Sequence, residues 1–269
     1  MATVDLVVTD LDGTLWFGEY EETHPDHVAT WHELELRGIP VLVATGRRVT
    51  STRNPLARLG LAPPAVMMNG ALAIDLATGD RFHFHQYTVE DATSILAAFR
   101  SADLEPCVYV DHPRVDVFIG ERTSTHPDHL ADLGSKAERT DLDEIVRSTP
   151  VLMFGIMGHV PEPFHKVEHT LAGVAETHLA GSTKYGGSTF TVTPIGLSKW
   201  NGVLAFCARA GLDPERVLAI GDGPNDVELL DAAAVSVAPV DGHHAAVSRA
   251  DHVVASPRDG GWAEILGFV

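Results

Sequence analysis

The first quarter of the chain alternates short apolar runs with amphipathic stretches. Three runs are apolar over nearly their whole length, which is typical of strands buried on both faces of a parallel sheet. The amphipathic stretches between them carry helix start and stop residues. These patterns predict strands over residues 4–9, 40–44 and 65–68 and helices over residues 23–36 and 49–59. Because helical crossovers join parallel strands, we expect a doubly wound parallel sheet.

The same alternation returns near the C-terminus, whereas the middle of the chain has a different pattern. The C-terminal part predicts helices over residues 199–210, 226–232 and 243–249 and strands over residues 217–220 and 235–238. The middle predicts strands at 107–110, 115–119, 151–157 and near 177, with helices over residues 89–102 and 161–171. Strands that follow one another without helices favour a mostly antiparallel, α+β arrangement. We therefore predict an α/β, Rossmann-like core domain from residues 1–79 and 189–269, with an inserted α+β cap domain over residues 80–188.

Composition narrows the class of partner. The 269-residue chain has 37 acidic and 19 basic side chains, a formal net charge of -18. A surface this negative repels nucleic acid backbones and anionic lipid headgroups, so we expect neither as a partner. The two distant cysteines, Cys107 and Cys207, predict reduced thiols and no disulfide framework. The absence of a signal-like start or a membrane-length apolar run favours a cytoplasmic protein.

An acid pair directly follows the first predicted strand. Asp10 and Asp12 are one residue apart in a DLDGT segment, so in extended backbone both carboxylates point to the same side. One carboxylate can attack phosphorus and form an acyl phosphate, while the other protonates the leaving oxygen and then deprotonates water. An ordinary Asp-Gly turn at a strand end explains the same segment equally well.

Two further segments offer groups that suit a phosphate. Thr45 and Gly46 follow the second predicted strand, where a hydroxyl and a backbone N–H near a helix start can hold a phosphate oxygen. Arg47, the next residue, is compatible with a structural ion pair. Lys199 stands at the predicted start of a helix, and its ammonium can neutralise a transferring phosphoryl group. Taken singly, a glycine turn and a solvated surface lysine account for these residues too.

The GDGPND segment after the predicted strand at residues 217–220 carries two more carboxylates and an amide. Magnesium prefers hard oxygen ligands in octahedral geometry, and Asp222 together with Asp10 would satisfy this preference. Asn225 either begins a capped helix, serves the same site, or does both. We therefore expect Mg²⁺ as the cofactor.

In this order along one chain, DLDGT, ATGR, GLSK and GDGPND resemble the four motifs of the haloacid dehalogenase-like superfamily. The large insertion between the second and third motifs resembles the Cof-like branch of class IIB sugar phosphatases, as does the MNGA segment that contains Asn69. The resemblance spans the whole chain. It implies a magnesium-dependent phosphomonoester hydrolase of small phosphorylated metabolites, with sugar phosphates as the expected substrates.

The resemblance also implies a role for each motif residue. Asp10 is expected to be the nucleophile that becomes an aspartyl phosphate, and Asp12 the general acid/base. The other implied roles are magnesium binding by Asp10, the backbone carbonyl of Asp12 and Asp222, orientation of metal-bound water by Asp226, and phosphoryl binding by Thr45, Gly46, Lys199 and Asn225.

The insertion is expected to select the substrate, because the motif residues recognise only a phosphoryl group. Polar residues at the ends of its predicted strands are candidates for contacting a polyhydroxylated leaving group. They are Asp111, His112 and Arg114 on one turn and Lys184 and Tyr185 in a glycine-rich return to the core, with Asn69 as a further candidate outside the insertion. Each is equally explained as a solvated loop residue.

Two other functions stay open at the level of sequence. A phosphosugar mutase would use the same acid pair but retain its phosphorylated form. A non-catalytic sugar-phosphate-binding module would use the same fold without turnover. The expected partner is a small phosphorylated metabolite, and the chain is expected to be a monomer or homodimer.

Overall fold

The computed structural model describes residues 4–19, 21–112, 114–182 and 184–269. In chain order its strands are β1 (Leu6–Thr9), β2 (Val41–Ala44), β3 (Pro64–Met67), β4 (Leu72–Asp75), β5 (Arg81–Phe84), β6 (Cys107–Val110), β7 (Val117–Ile119), β8 (Ala137–Arg139), β9 (Val151–His159), β10 (Ala175–Gly181), β11 (Ser188–Pro194), β12 (Val217–Ile220), β13 (Val235–Pro239) and β14 (His252–Val254). Its α-helices are α1 (Pro25–Leu36), α2 (Val49–Arg58), α3 (Val89–Ser101), α4 (Pro127–Leu133), α5 (Leu142–Ser148), α6 (Glu162–Leu171), α7 (Lys199–Ala210), α8 (Val227–Ala232) and α9 (His244–Val247). The chain forms two compact units: Met1–Arg47 with Ser51–Phe84 and Ser198–Val269, and Arg48–Thr50 with His85–Leu197.

The sheet of the first unit is built around β1. Its strand order is β14-β13-β12-β1-β2-β3-β4-β5. Neighbours from β14 to β3 run parallel, and β4 and β5 add an antiparallel edge. The predicted doubly wound α/β fold is confirmed. The sequence pattern does not predict β4, β5 and β14, because short edge strands depend on pairing with a neighbour more than on an apolar run of their own.

The start of α7 is fixed by its own cap. The Ser198 backbone N–H donates to Oδ1 of Asn201 at 2.8 Å, which satisfies a free group in the helix's first turn. The helix also packs tightly against β3, because Gly202 leaves room for the Val66 side chain that a Cβ would overlap. Cap and close packing together determine where Lys199, the first residue of α7, is placed.

The second unit contains a separate sheet in the order β10-β11-β9-β6-β7-β8. Its neighbours are antiparallel except for β7 and β8, in agreement with the mostly antiparallel prediction. Residues of α3, α5 and α6 cover one face. The centre of that core is aromatic, with Phe164 stacked on Phe190 at 4.8 Å between ring centroids and Phe99 edge-on to Phe190.

The β10–β11 hairpin changes the interpretation of one predicted segment. Gly181 pairs with Ser188, and the Ser182 N–H donates to the Gly187 carbonyl at 2.9 Å, so β10 and β11 form a hairpin with a turn between them. Lys184 and Tyr185 lie in this turn, and their predicted placement in a return to the core is wrong. The prediction missed β11 because its sequence, STFTVTP, is rich in threonine and alternates polar with apolar residues, so it contains no continuous apolar run.

The limits of the two units follow from strand pairing. β5 pairs with the first sheet and β11 with the second, so the long segment of the second unit, His85–Leu197, begins five residues later and ends nine residues later than the predicted insertion at 80–188. Within the part of the chain that the structure describes, we find no helix with the length and apolar character of a membrane span.

Candidate active site

Three of the sequence motifs follow neighbouring strands in the middle of the first sheet. Asp10 comes directly after β1, Thr45 after β2, and Asp222 two residues beyond the end of β12. The Asp10 N–H donates to the Ile220 carbonyl at 2.9 Å, which holds the start of this loop against β12. Because the carboxyl ends of parallel strands meet at one edge of the sheet, the motif residues gather where open α/β sheets bind ligands.

A buried lysine links two of the carboxylates. Nζ of Lys199 lies 2.7 Å from Oδ1 of Asp10 and 2.6 Å from Oδ1 of Asp226, and the lysine is only 1% exposed. Burial disfavours the ammonium form, but the two carboxylates outweigh it and raise the pKa of Lys199. Lys199 is therefore a fixed positive charge in direct contact with Asp10, and the alternative of a solvated surface lysine is excluded.

Three carboxylates converge beside this lysine. Asp10, Asp222 and Asp226 each offer an oxygen, and these oxygens lie within 4.8 Å of one another. Burial raises the pKa of Asp10 well above its ordinary value, against the opposing charge of Lys199 and with the help of the neighbouring carboxylates. Burial, with the charge of Asp226 added, raises the pKa of Asp222 to about 7. One ammonium cannot balance three carboxylates, so this hard-oxygen set fits a divalent cation.

The loop around Gly13 brings Asp222 into the group. Oγ1 of Thr14 donates to Oδ1 of Asp222 at 2.9 Å. Gly13 has a φ of 75°, and a Cβ there would overlap the Asp222 carboxylate. Glycine is required at this position on both counts, because other residues are strained at this φ and would displace the carboxylate.

The candidate acid/base, Asp12, is held by a pair of donors. Arg47 donates through Nε to Oδ2 at 2.6 Å and through Nη2 to Oδ1 at 2.5 Å, and the indole Nε1 of Trp16 donates to Oδ1 at 3.0 Å. Although burial opposes ionisation, the charge and hydrogen bonds of Arg47 lower the pKa of Asp12. The Asp12 side chain is still 53% exposed, which leaves it accessible to a substrate. The pKa values of Asp10 and Asp12 are thus shifted in opposite directions, that of Asp10 upward by burial and that of Asp12 downward by Arg47.

The predicted phosphoryl-binding residues also lie together. Nδ2 of Asn225 donates to Oδ1 of Asn69 at 3.0 Å, and Gly46 approaches the same Asn69 oxygen so closely that a Cβ would lie 3.0 Å from it. Asn69 has a φ of 53°, in the left-handed region that asparagine tolerates. Thr45 is buried, and its Oγ1 accepts the Arg47 N–H at 3.2 Å. Asn69, which the sequence analysis gave as a candidate for contacting the leaving group, belongs to this group.

The candidates in the second unit fall into two places. Lys184 Nζ and Tyr185 Oη both contact Oδ2 of Asp132 at 2.8 Å. Asp111, His112 and Arg114 lie in the β6–β7 connection, where the Arg114 N–H donates to Nδ1 of His112 at 3.3 Å.

Two residues of these contacts escape the sequence interpretation. Trp16 carries no motif signal, and Asp132 is one acidic residue among many. Arg47 did have a signal, a guanidinium directly after a glycine at a strand end. Its ion pair is with Asp12, 35 residues away, which only the folded chain reveals.

Comparisons with known proteins identify the class to which this fold and site belong. Residues 7–266 match the family model described as haloacid dehalogenase-like hydrolase. A phosphoglycolate phosphatase of Methanopyrus kandleri is 28% identical over 261 residues, 97% of this chain and 95% of the relative. A structure described as a haloacid dehalogenase subclass IIB sugar phosphatase has a TM-score of 0.80 at 20% identity and covers 98% of both chains. A phosphatase of the same superfamily from Bacteroides thetaiotaomicron has a TM-score of 0.81 at 21% identity and covers 99% of this chain and 95% of its own.

The chain belongs to the haloacid dehalogenase-like hydrolases. The predicted family is confirmed, and the predicted enzyme class, a phosphatase, is confirmed by the family together with its named relatives.

Proposed function

We propose that this chain is a magnesium-dependent phosphomonoester hydrolase that works through a phosphorylated Asp10. The observation that carries the proposal is the Asp10–Lys199–Asp226 contact at 2.7 and 2.6 Å, in which the Lys199 and Asp226 side chains have no exposed surface and the Asp10 side chain is 9% exposed. A buried lysine that touches a strand-end carboxylate supports charge compensation at a reacting phosphoryl group.

The residues of the first unit divide the reaction between them. In the first step a carboxylate oxygen of Asp10 forms a bond to phosphorus, the bond from phosphorus to the leaving oxygen breaks, and Asp12 gives its proton to that oxygen. In the second step Asp12 takes a proton from water, the water oxygen bonds to phosphorus, and the bond to Asp10 breaks. Lys199 keeps its proton throughout and stabilises the negative charge. Thr45, Gly46 and Asn225 are proposed to hold the phosphoryl oxygens.

The convergent carboxylates support a cation requirement. We propose Asp10, Asp222 and the backbone carbonyl of Asp12 as the groups that hold Mg²⁺, with Asp226 orienting its water. When bound, the ion supplies positive charge that offsets the phosphoryl group. Asp226 also contacts Lys199 and accepts the Gly223 N–H at 2.9 Å, so it holds both the lysine ammonium and the loop that follows Asp222.

The proposed substrates are small phosphorylated metabolites. The name of the Methanopyrus relative suggests phosphoglycolate, and that of the subclass IIB structure suggests sugar phosphates. We propose that the second unit chooses among them, with Lys184 and Tyr185 as specificity residues because both contact the partly exposed Asp132 and can exchange this partner for a ligand. A cytoplasmic location belongs to the same proposal.

A phosphate-release assay tests the function. The purified chain, supplied with Mg²⁺, should release inorganic phosphate from at least one member of a panel of phosphoglycolate, hexose phosphates and aryl phosphates. Activity should vanish with a chelator, return with Mg²⁺, and be inhibited by Ca²⁺, which prefers more ligands at longer distances. Isomerised sugar phosphate without free phosphate would support the mutase alternative, and tight binding without any turnover would support the binding module.

A further inference from the structure

The indole of Trp16 contacts Asp12, the candidate acid/base, although Trp16 lies outside every motif. Its Nε1 donates to Oδ1 of Asp12 at 3.0 Å, and its ring lies under the Arg47 guanidinium at 4.9 Å from Cζ to the ring centroid. One side chain thus contacts both members of the Asp12–Arg47 ion pair. The side chain is rigidly held, since Trp16 is 1% exposed.

The backbone fixes Trp16 in the loop that carries the acid pair. The Trp16 N–H donates to the Leu11 carbonyl at 3.0 Å, and the Gly13 N–H donates to the Trp16 carbonyl at 3.0 Å. These two hydrogen bonds close the loop on itself, so the indole N–H and the Asp12 carboxylate have a set separation. The contact is therefore part of the loop's folded form.

The donors are distributed unequally over the two oxygens of Asp12. An ionised carboxylate has about four acceptor sites, two on each oxygen. Oδ1 accepts from Nη2 of Arg47 and from Trp16, which fills both of its sites. Among the residues that the structure describes, Oδ2 accepts only from Nε of Arg47, which leaves one of its sites without a donor from them. Arg47 by itself would treat the two oxygens alike, so Trp16 makes the difference.

We propose that Trp16 is a positioning residue that reserves Oδ2 of Asp12 for proton transfer. This inference rests on the proposed function, in which Asp12 protonates the leaving oxygen. The proton moves from Oδ2 to the leaving oxygen as the bond between that oxygen and phosphorus breaks, and the proton from water later returns to Oδ2. Trp16 itself exchanges no proton, because its indole N–H is a donor only.

The test compares two leaving groups of similar shape. Phenyl phosphate releases a strongly basic phenolate that needs protonation, whereas p-nitrophenyl phosphate releases a weakly basic one that needs little. Trp16→Phe keeps an aromatic ring beneath Arg47 but removes the N–H. In this variant kcat/KM should fall about tenfold more for phenyl phosphate than for p-nitrophenyl phosphate. This loss is smaller than the whole rate factor that a general acid contributes.

Two controls separate positioning from packing. Trp31→Phe removes another buried indole, one that donates to Glu35, and should leave the ratio between the two substrates unchanged. In an Asp12→Asn background Trp16→Phe should cause no further change in that ratio, because the two residues act as a unit. Equal losses on both substrates, or full additivity in the double variant, would overturn the inference.

A measurement that needs no Trp16 variant guards against a folding defect. The indole ¹⁵N–¹H resonance of Trp16 should shift in Asp12→Asn while that of Trp31 stays in place, and a stationary Trp16 resonance would overturn the contact. If the unsubstituted chain hydrolyses both aryl phosphates but Trp16→Phe loses no more activity on phenyl phosphate than on p-nitrophenyl phosphate, only this inference fails. If it hydrolyses no phosphomonoester with Mg²⁺, the proposed function fails with it.

Discussion

Two lysines, one in each unit, contact aspartate oxygens at nearly the same distance in very different surroundings. Lys199 in the first unit has no exposed side-chain surface and lies between Asp10 and Asp226. Lys184 in the second unit is 34% exposed and contacts Asp132, which is 45% exposed. In water the attraction between such charges is largely screened, whereas in a buried site it is several times stronger.

We propose that this difference in burial separates a site for chemistry, around Lys199, from a site for substrate recognition, around Lys184. Buried charges cost desolvation energy and are retained only where their partners are fixed, as around Lys199. An exposed pair is worth about 0–1 kcal/mol and can exchange its partner for a ligand at little cost. We therefore expect substitutions of Lys199 or its partners Asp10 and Asp226 to abolish turnover. Substitutions of Lys184, Tyr185 or Asp132 should instead change which substrate is preferred.

The largest effect on kcat is expected when the aspartates that contact the two lysines are substituted. Asp10→Asn removes the proposed attacking oxygen and should lower kcat by about four or more orders of magnitude. Asp132→Asn is the matched change in the second unit, and it should keep kcat for p-nitrophenyl phosphate within about tenfold. The kcat values of both variants are measured by steady-state phosphate release. Retention of a tenth of the activity by Asp10→Asn would remove Asp10 from the mechanism.

The second effect concerns the lysines themselves. Lys199→Ala should lower kcat by about 10²–10³-fold, since a charge that acts on the transition state affects kcat more than KM. It should also destabilise the fold by about 3–5 kcal/mol, because two buried carboxylates lose their counter-charge. Lys184→Ala should cost about 1 kcal/mol or less, measured by urea unfolding. An unchanged kcat in Lys199→Ala would contradict its proposed role.

The third effect is a dependence of cation binding on pH. Because burial raises the pKa of Asp222 to about 7, a bound proton competes with Mg²⁺ below that pH. Mg²⁺ affinity, measured by calorimetry, should fall about tenfold from pH 8 to pH 6. Asp222→Asn should weaken binding at both pH values and flatten the dependence. Affinity that is independent of pH in the unsubstituted chain would argue against Asp222 as a ligand.

Protonation of Asp222 has the opposite effect on folding stability: it weakens Mg²⁺ binding, but in the absence of cation it favours the folded state. A carboxylic acid whose pKa is raised on folding stabilises the folded state at low pH, and this contribution disappears as pH rises through the folded pKa. Without cation, the unfolding free energy of the chain relative to Asp222→Asn should therefore decline between about pH 4 and pH 7. Saturating Mg²⁺ should reverse the decline, because it binds the ionised form.

The smallest effect is expected in substrate ranking. Replacing Lys184 and Tyr185 together by alanine should change the relative kcat/KM of sugar phosphates and phosphoglycolate several-fold, while p-nitrophenyl phosphate turnover stays nearly constant. Equal losses on all substrates, or none on any, would show that this hairpin turn does not choose the substrate.

The strongest sequence predictions rest on local patterns. The apolar runs that become β1, β2 and β12 predict the parallel sheet, because a strand buried on both faces needs apolar residues at every position. That sheet, with Asp10, Thr45 and Asp222 near the ends of those strands, predicts one edge where the motif side chains meet. The edge strands and the β10–β11 hairpin depend on partners far along the chain, and the sequence pattern does not reveal them.

The sequence by itself determined the fold class, the family and the motif residues of the candidate site, because each is specified by short segments whose chemistry is local. Only the tertiary structure decided what those residues are bonded to: Lys199 between two carboxylates, Arg47 and Trp16 on Asp12, and Lys184 and Tyr185 on Asp132. These contacts join residues that are mostly tens to nearly two hundred positions apart. The physical reason is that charge strength and pKa depend on burial and on neighbours, and both arise only when distant segments pack together.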